Sequence, residues 1–175
     1  RNSRATDVVD QTFLNWPFFE PLHRELAGTV ESWAMTRVEP IIQAGDDLDA
    51  TCINLVRALG ESGLCRRAVA DSASQIDVRS LCLIRETLAR YSGLADFAFA
   101  MQGLGAGPLC LFGSDTQKAE FLPPVSRGDA LPGFALTEPD AGSNVAGIST
   151  TARANNGHFI IDGRKTWISN GGIAD

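Results

Sequence analysis

A chain of 175 residues is long enough to bury one substantial core, or a whole domain and part of a second. A hydrophobic share of 44% beside 21% charged residues is that of a folded globular protein, and the net charge of −6 excludes the basic footprint that grips nucleic acid by its phosphates. Cys52, Cys65, Cys82 and Cys110 lie far apart, and with only His23 and His158 besides they show no metal-ligand spacing; free thiols in a reducing compartment are expected, and no metal centre.

Arg1 stands where a start methionine is expected, and nothing after it reads as a signal or transit segment. Leu22, Leu26, Val30 and Trp33 recur at i, i+4, i+8 and i+11 and predict a first amphipathic helix. Cys52, Leu55, Val56 and Leu59 predict a second, with Asp49 as its cap and Gly60 as its stop. Leu81, Ile84, Leu88 and Tyr91 mark a third, opened by Asp77. Residues 94–101 are apolar nearly all round, which predicts a helix buried on every side and too short to span a membrane. Gly103, Gly105, Gly107 and Pro108 are expected to interrupt it. Ser114 with Gln117 has capping-box form and starts a short helix expected to end at Pro123 and Pro124. The small and polar stretches 43–47 and 68–75 predict loops.

The character changes after Gly128. Residues 133–137 alternate as a strand does, and residues 150–154 and 158–161 flank Asn155-Asn156-Gly157, a strong hairpin signal. Asp162-Gly163 offers another turn, leading into a further strand over 164–169. The expectation is an antiparallel meander whose edges lack partners to close the sheet, hence a piece of a longer protein.

Two segments carry chemistry. In FALTEPDAGSN (134–144), Pro139 stiffens the turn, Gly142 allows close approach of a ligand, and Thr137 and Ser143 supply hydroxyls. Such a loop can cradle an anionic oxygen, or it can be an ordinary turn bonding to its own backbone. KTWISNGG (165–172) sets an indole and two hydroxyls before a glycine turn; Trp167 could flank a planar ligand, or Trp167 and Ile168 could alternate as in any strand.

Together, FALTEPDAGSN and GRKTWISNGGIAD resemble the paired signatures of the acyl-CoA dehydrogenase family, and FGSDTQKAEFLPPVSRGDAL (112–131) resembles the lead-in to the first. The resemblance implies an α + β fold: an all-α N-terminal domain over 1–131, then the opening antiparallel strands of a β-barrel-like middle domain over 132–175. It implies FAD as cofactor, contacted by Phe134, Ala135, Leu136, Thr137, Glu138, Pro139, Asp140, Ala141, Gly142 and Ser143 and by Trp167, Ile168 and Ser169. In that likeness Thr137 and Ser169 bond the isoalloxazine, Trp167 flanks it, and Ser143 lies near the pyrophosphate and the acyl-CoA substrate. The implied reaction is α,β-dehydrogenation of an acyl-CoA thioester in lipid metabolism, with hydride passing to flavin N5 and electrons leaving to an electron-transfer flavoprotein. A homotetramer is implied as well, located in the cytoplasm of a bacterium or the mitochondrial matrix of a eukaryote. The family's catalytic carboxylate would fall beyond Asp175, so no catalytic residue is assigned. Glu138 is expected to fix its loop rather than move a proton.

The sequence departs from the family at Asn144, where Asp is usual, and over 63–77, which lacks the expected Pro- and Gly-rich wording. Arg66 and Arg67 read as a solvated pair, with contact to a CoA phosphate the alternative. An oxidase or flavin monooxygenase of the same fold, or a non-catalytic partner subunit, would share most of these features.

Overall fold

The computed structural model describes residues 10–45, 47–70 and 76–175. Among the described residues a 3-10 turn (Thr12–Asn15) is followed by six α-helices: α1 (Pro21–Ala44), α2 (Leu48–Glu61), α3 (Cys65–Ala68), α4 (Val78–Tyr91), α5 (Gly93–Phe112) and α6 (Asp115–Arg127). A hairpin of β1 (Thr151–Asn155) and β2 (His158–Asp162) follows. This is the helical domain with antiparallel strands that the sequence predicts, although expected and observed boundaries differ in several places.

The seam of α1 is Leu26, Val30, Ala34 and Val38, a strict i, i+4 row; Leu22 lies outside it and is exposed, and Trp33 is only partly buried. The cap of α2 is Asp47, whose carboxylate accepts the Ala50 N–H at 2.9 Å, while Asp49 is the second helical residue and favours the helix N-terminus as a first-turn acid. Glycine at position 60 does not stop α2, which runs on to Glu61. Asp77 caps α4 as expected. The loop expected over 43–47 is shorter, because α1 continues to Ala44, and that over 68–75 begins after the buried residues Ala68 and Val69, with 71–75 outside the described residues.

Helix α5 runs unbroken over twenty residues, where the sequence predicts a break. Its glycines do not interrupt it: a Cβ on Gly103 would lie 3.3 Å from Ala68, and one on Gly105 would lie 2.5 Å from Pro132. Gly103 and Gly105 are contact points where α5 meets other parts of the chain, so packing outweighs their poor helix propensity, while Gly107 has open space around it and the helix runs through it and Pro108. At twenty residues α5 therefore does have the length and apolarity of a membrane span, but it packs against α2, α3, α4 and α6 with Ala95, Ala98, Phe99 and Ala106 in the core. Helix α6 likewise passes through Pro123 and Pro124. Proline's fixed φ is helical, the neighbours Leu122 and Val125 are buried, and Gly128 at φ 73 ends the helix instead.

The core joins all of these helices. Leu55 and Leu59 from α2, Ile84 and Leu88 from α4 and Phe99 from α5 are fully buried in it. Gln102 extends it toward the second half of the chain: its side chain is fully buried and donates to the carbonyls of Val125 (2.9 Å) and Ala130 (3.0 Å). The end of α6 and the chain just after it thus hang from one α5 side chain.

Asn156 (φ 49) and Gly157 (φ 83) form the two-residue turn of the hairpin, pairing Thr151 with Asp162 and Asn155 with His158. Every residue of both strands is exposed. The strands expected over 133–137 and 164–169 are extended segments without a ladder. They share a single backbone bond, Thr166 N–H to Thr137 O at 2.9 Å, after which Trp167 at φ 57 turns the chain away and ends the pairing.

Candidate functional site

The two chemistry-bearing segments lie side by side. Leu131 and Asp175 exchange two bonds, Asp175 N–H to Leu131 O at 3.0 Å and Leu131 N–H to Asp175 Oδ2 at 2.8 Å. Asn170 Nδ2 donates to Pro132 O at 3.4 Å, and further along Lys165 Nζ donates to Leu136 O at 2.9 Å. With the Thr166–Thr137 bond, these contacts run the segments antiparallel from Leu131 to Glu138.

Glu138 is the knot of the arrangement. Its side chain is 3% exposed and accepts five bonds. Ser149 N–H and Oγ donate to Oε2 at 2.7 and 2.8 Å, while Thr150 N–H (3.0 Å), Thr150 Oγ1 and Lys165 Nζ (2.9 Å) donate to Oε1. The Ser149 backbone bond, then the Thr150 hydroxyl and the Lys165 ammonium, hold this carboxylate well below the usual range; burial opposes them and loses. Glu138 and Ala141 also exchange backbone bonds, N–H to O, at 2.9 and 3.2 Å, which closes the loop on itself. Glu138 therefore braces the loop, and both its side chain and that of Ala141 are buried.

The other predicted contact residues are placed differently. Ala135, Pro139, Asp140, Gly142, Ser143 and Ser169 are exposed, and Phe134, Leu136, Thr137 and Ile168 are half-buried. Trp167 is 91% exposed, its indole standing clear of the helical core. The backbone N–H groups of Ala135, Leu136, Thr137 and Ser143, and of Trp167, Ile168 and Ser169, donate to no described residue. Exposed hydroxyls, free N–H groups and a presented indole thus occupy adjoining segments. That donor set suits a planar ligand with a hydrogen-bond-accepting edge.

One cavity adjoins these segments, and a larger groove lies away from them. The cavity, of about 260 Å³, lies under the second segment, lined by Ile168, Asn170, Gly171, Gly172 and Ile173 with Leu48, Asp49, Cys52, Leu94 and Phe97; it takes no residue of 134–143. The groove, of about 790 Å³, lies between α3 and α6, lined by Arg66, Lys118, Arg127 and Asp115 among others. Arg67 is exposed and does not line it.

The sequence reading missed Lys165, Ser149 and Thr150. Lys165 was in plain view, two residues before Trp167, but nothing local marks it as the partner of a carboxylate 27 positions away. Asn144 instead opens a short 3-10 turn, its carbonyl accepting the Gly147 N–H at 3.0 Å.

Comparison with known proteins agrees with this geometry. The family model described as acyl-CoA dehydrogenase, N-terminal domain, matches residues 20–129, and that described as acyl-CoA dehydrogenase, middle domain, matches 133–175. Among similar proteins, an acyl-CoA dehydrogenase of Bacillus subtilis (strain 168) is 31% identical over 83% of this chain and 39% of its own length. A 3-(aryl)acrylate reductase of Clostridium sporogenes (strain ATCC 15579) is 32% identical over 90% of this chain and 43% of its own. The crystal structure of an acyl-CoA dehydrogenase complexed with FAD from Bacillus anthracis superposes with a TM-score of 0.77 at 34% identity, covering 90% of this chain and 28% of that one. The chain spans about two fifths of the length of those two curated relatives. With both family models matched in order, this chain belongs to the acyl-CoA dehydrogenase family.

Proposed function

We propose that this chain supplies flavin and acyl-CoA contacts in an FAD-dependent acyl-CoA dehydrogenase that removes hydrogens from the α and β carbons of an acyl-CoA thioester. The observation that carries this is the antiparallel approach of 131–138 and 165–175, which sets free N–H groups, hydroxyls and an exposed indole on neighbouring backbone. The residues present fit FAD. Thr137 and Ser169, with the N–H groups beside them, would hold the polar edge of the ring, Trp167 would flank its face, and Ser143 would meet the pyrophosphate and the substrate. FAD, when bound, supplies the hydride-accepting chemistry, while protein donors aimed at the edge where negative charge develops stabilise that transfer.

Proton abstraction is assigned to no residue of this chain. A general base works best with a proton affinity near the operating pH, whereas five donors drive that of Glu138 the other way. The proposal takes residues 1–131 as the helical domain and 132–175 as the start of the middle domain. It extends to an electron-transfer flavoprotein as electron acceptor and to a homotetrameric assembly.

The test is spectroscopic. The intact protein is expected to purify yellow, or to turn yellow with added FAD, and to bleach anaerobically on addition of an acyl-CoA. Protein that stays colourless with FAD in excess would overturn the proposal, and rapid peroxide release on acyl-CoA turnover in air would replace dehydrogenase with oxidase.

A further inference from the structure

We propose that Lys165 is a positioning residue that sets the spacing of the two flavin-facing segments; this rests on the function proposed above. Lys165 Nζ bonds Leu136 O and Glu138 Oε1, each at 2.9 Å, so one ammonium grips both the backbone and the brace of the first segment. Its own backbone lies next to Thr166, whose N–H bonds Thr137 O at this end of the two segments, and two residues before the exposed Trp167. The lysine side chain is 22% exposed and its carboxylate partner 3%, so the pair works largely out of water, where its attraction is least screened.

Glu138 and Lys165 divide the work. Glu138 receives four further bonds from Ser149 and Thr150, which fasten its loop to the start of β1 whether or not Lys165 is present. Lys165 alone links that knot, by a side chain, to the segment carrying Trp167 and Ser169. Removing the ammonium takes away the cationic partner of the carboxylate but leaves it hydrogen-bonded by four neutral donors from Ser149 and Thr150. It leaves the Thr166 N–H to Thr137 O bond without the side-chain clamp beside it, while Asn170 and Asp175 hold only the far end of the segment. Groups that support a binding residue from behind act in this way; behind metal ligands the loss of one costs roughly 10- to 100-fold in affinity, which sets the scale expected for Lys165.

The experiment compares Lys165→Met, Lys165→Arg and wild type in the intact protein. It measures FAD dissociation by flavin fluorescence, and amide hydrogen exchange of the FAD-free protein. In Lys165→Met, FAD is expected to bind about tenfold more weakly or worse. Exchange should quicken at Thr166 and stay slow at Thr150, and Lys165→Arg, which keeps a charged donor, should recover most of both. Lys165→Gln, which keeps a donor without charge, reads the same two quantities if the methionine variant does not fold. Unchanged FAD affinity overturns the proposal, as does exchange that quickens equally at Thr150 and Thr166. Wild type that binds no FAD would sink the functional reading instead, and the exchange comparison would then decide the role of Lys165 alone.

Discussion

His23 and Asp77, 54 positions apart, meet at 2.7 Å between Nε2 and Oδ2, and His23 is fully buried. Its Nδ1 accepts the Glu20 N–H at 3.0 Å, so Nε2 carries the proton and donates to the carboxylate. The same carboxylate caps α4 through the Arg79 N–H and accepts from Ser80 Oγ at 2.8 Å, which staples the first turn of α1 to the start of α4.

Acid should loosen this staple. Burial alone would raise the Asp77 pKa, but bonds from His23, Ser80 and Arg79 outweigh it and hold the group well below its ordinary value. With the folded pKa below the unfolded one, the stabilisation is complete above about pH 4 and is lost as pH falls from there toward the folded value. Asp77→Asn keeps a capping side chain and removes the titration. Urea unfolding at a series of pH values is expected to show a flatter acid limb for Asp77→Asn than for wild type; matching slopes would refute the assignment.

Two glycines should respond with opposite sign to alanine. A Cβ on Gly60 would lie 2.0 Å from the Arg127 carbonyl oxygen, where α2 abuts the end of α6, and backbone cannot swing aside as a side chain can. Gly60→Ala is expected to cost about 1–3 kcal/mol. Gly28 lies within α1 with nothing near its added Cβ, so Gly28→Ala should stabilise by about 0.5–1 kcal/mol. Chemical unfolding of both variants checks the pair.

The thiols should react in ranked order. Burial pushes Cys65 up to about 12 and raises Cys52, with Asp49 adding to the effect there. Cys82 is exposed. A thiol reagent at neutral pH is expected to label Cys82 first and to leave Cys52 and Cys65 unmodified until the protein unfolds. Peptide mapping of the labelled protein reads this directly, and early labelling at Cys65 would contradict the packing.

Trp167 should matter for the ligand and little for the fold. The side chain is 91% exposed, so Trp167→Ala is expected to move the unfolding free energy of FAD-free protein by no more than about 0.5 kcal/mol. FAD retention in the intact protein should nevertheless fall, and Ser143→Ala should lower it as well. Full flavin content in both purified variants would remove these residues from the site.

Local chemistry left its mark on the sequence wherever a few neighbouring residues suffice. The Asp77 cap, the Ser114–Gln117 capping box and the Asn156–Gly157 turn were all legible because each is closed by bonds within four positions. So were the apolar rows of α2 and α4, since helical period dictates which side chains share a face. The two signature segments could be named as candidates from their hydroxyls, glycines and indole.

Tertiary structure alone decided the rest. Gly103 and Gly105 read as breaks until Ala68 and Pro132 were seen to press against them, since propensity is a weak preference that close packing overrides. The segments over 133–137 and 164–169 carry strand-like patterns, but a ladder needs a partner at every step, and the left-handed turn at Trp167 ends theirs after one bond. Lys165 and Glu138 are unremarkable where they stand in the chain. Their meeting is fixed by how the chain folds back between them, and spacing along a sequence carries no record of distance across a fold.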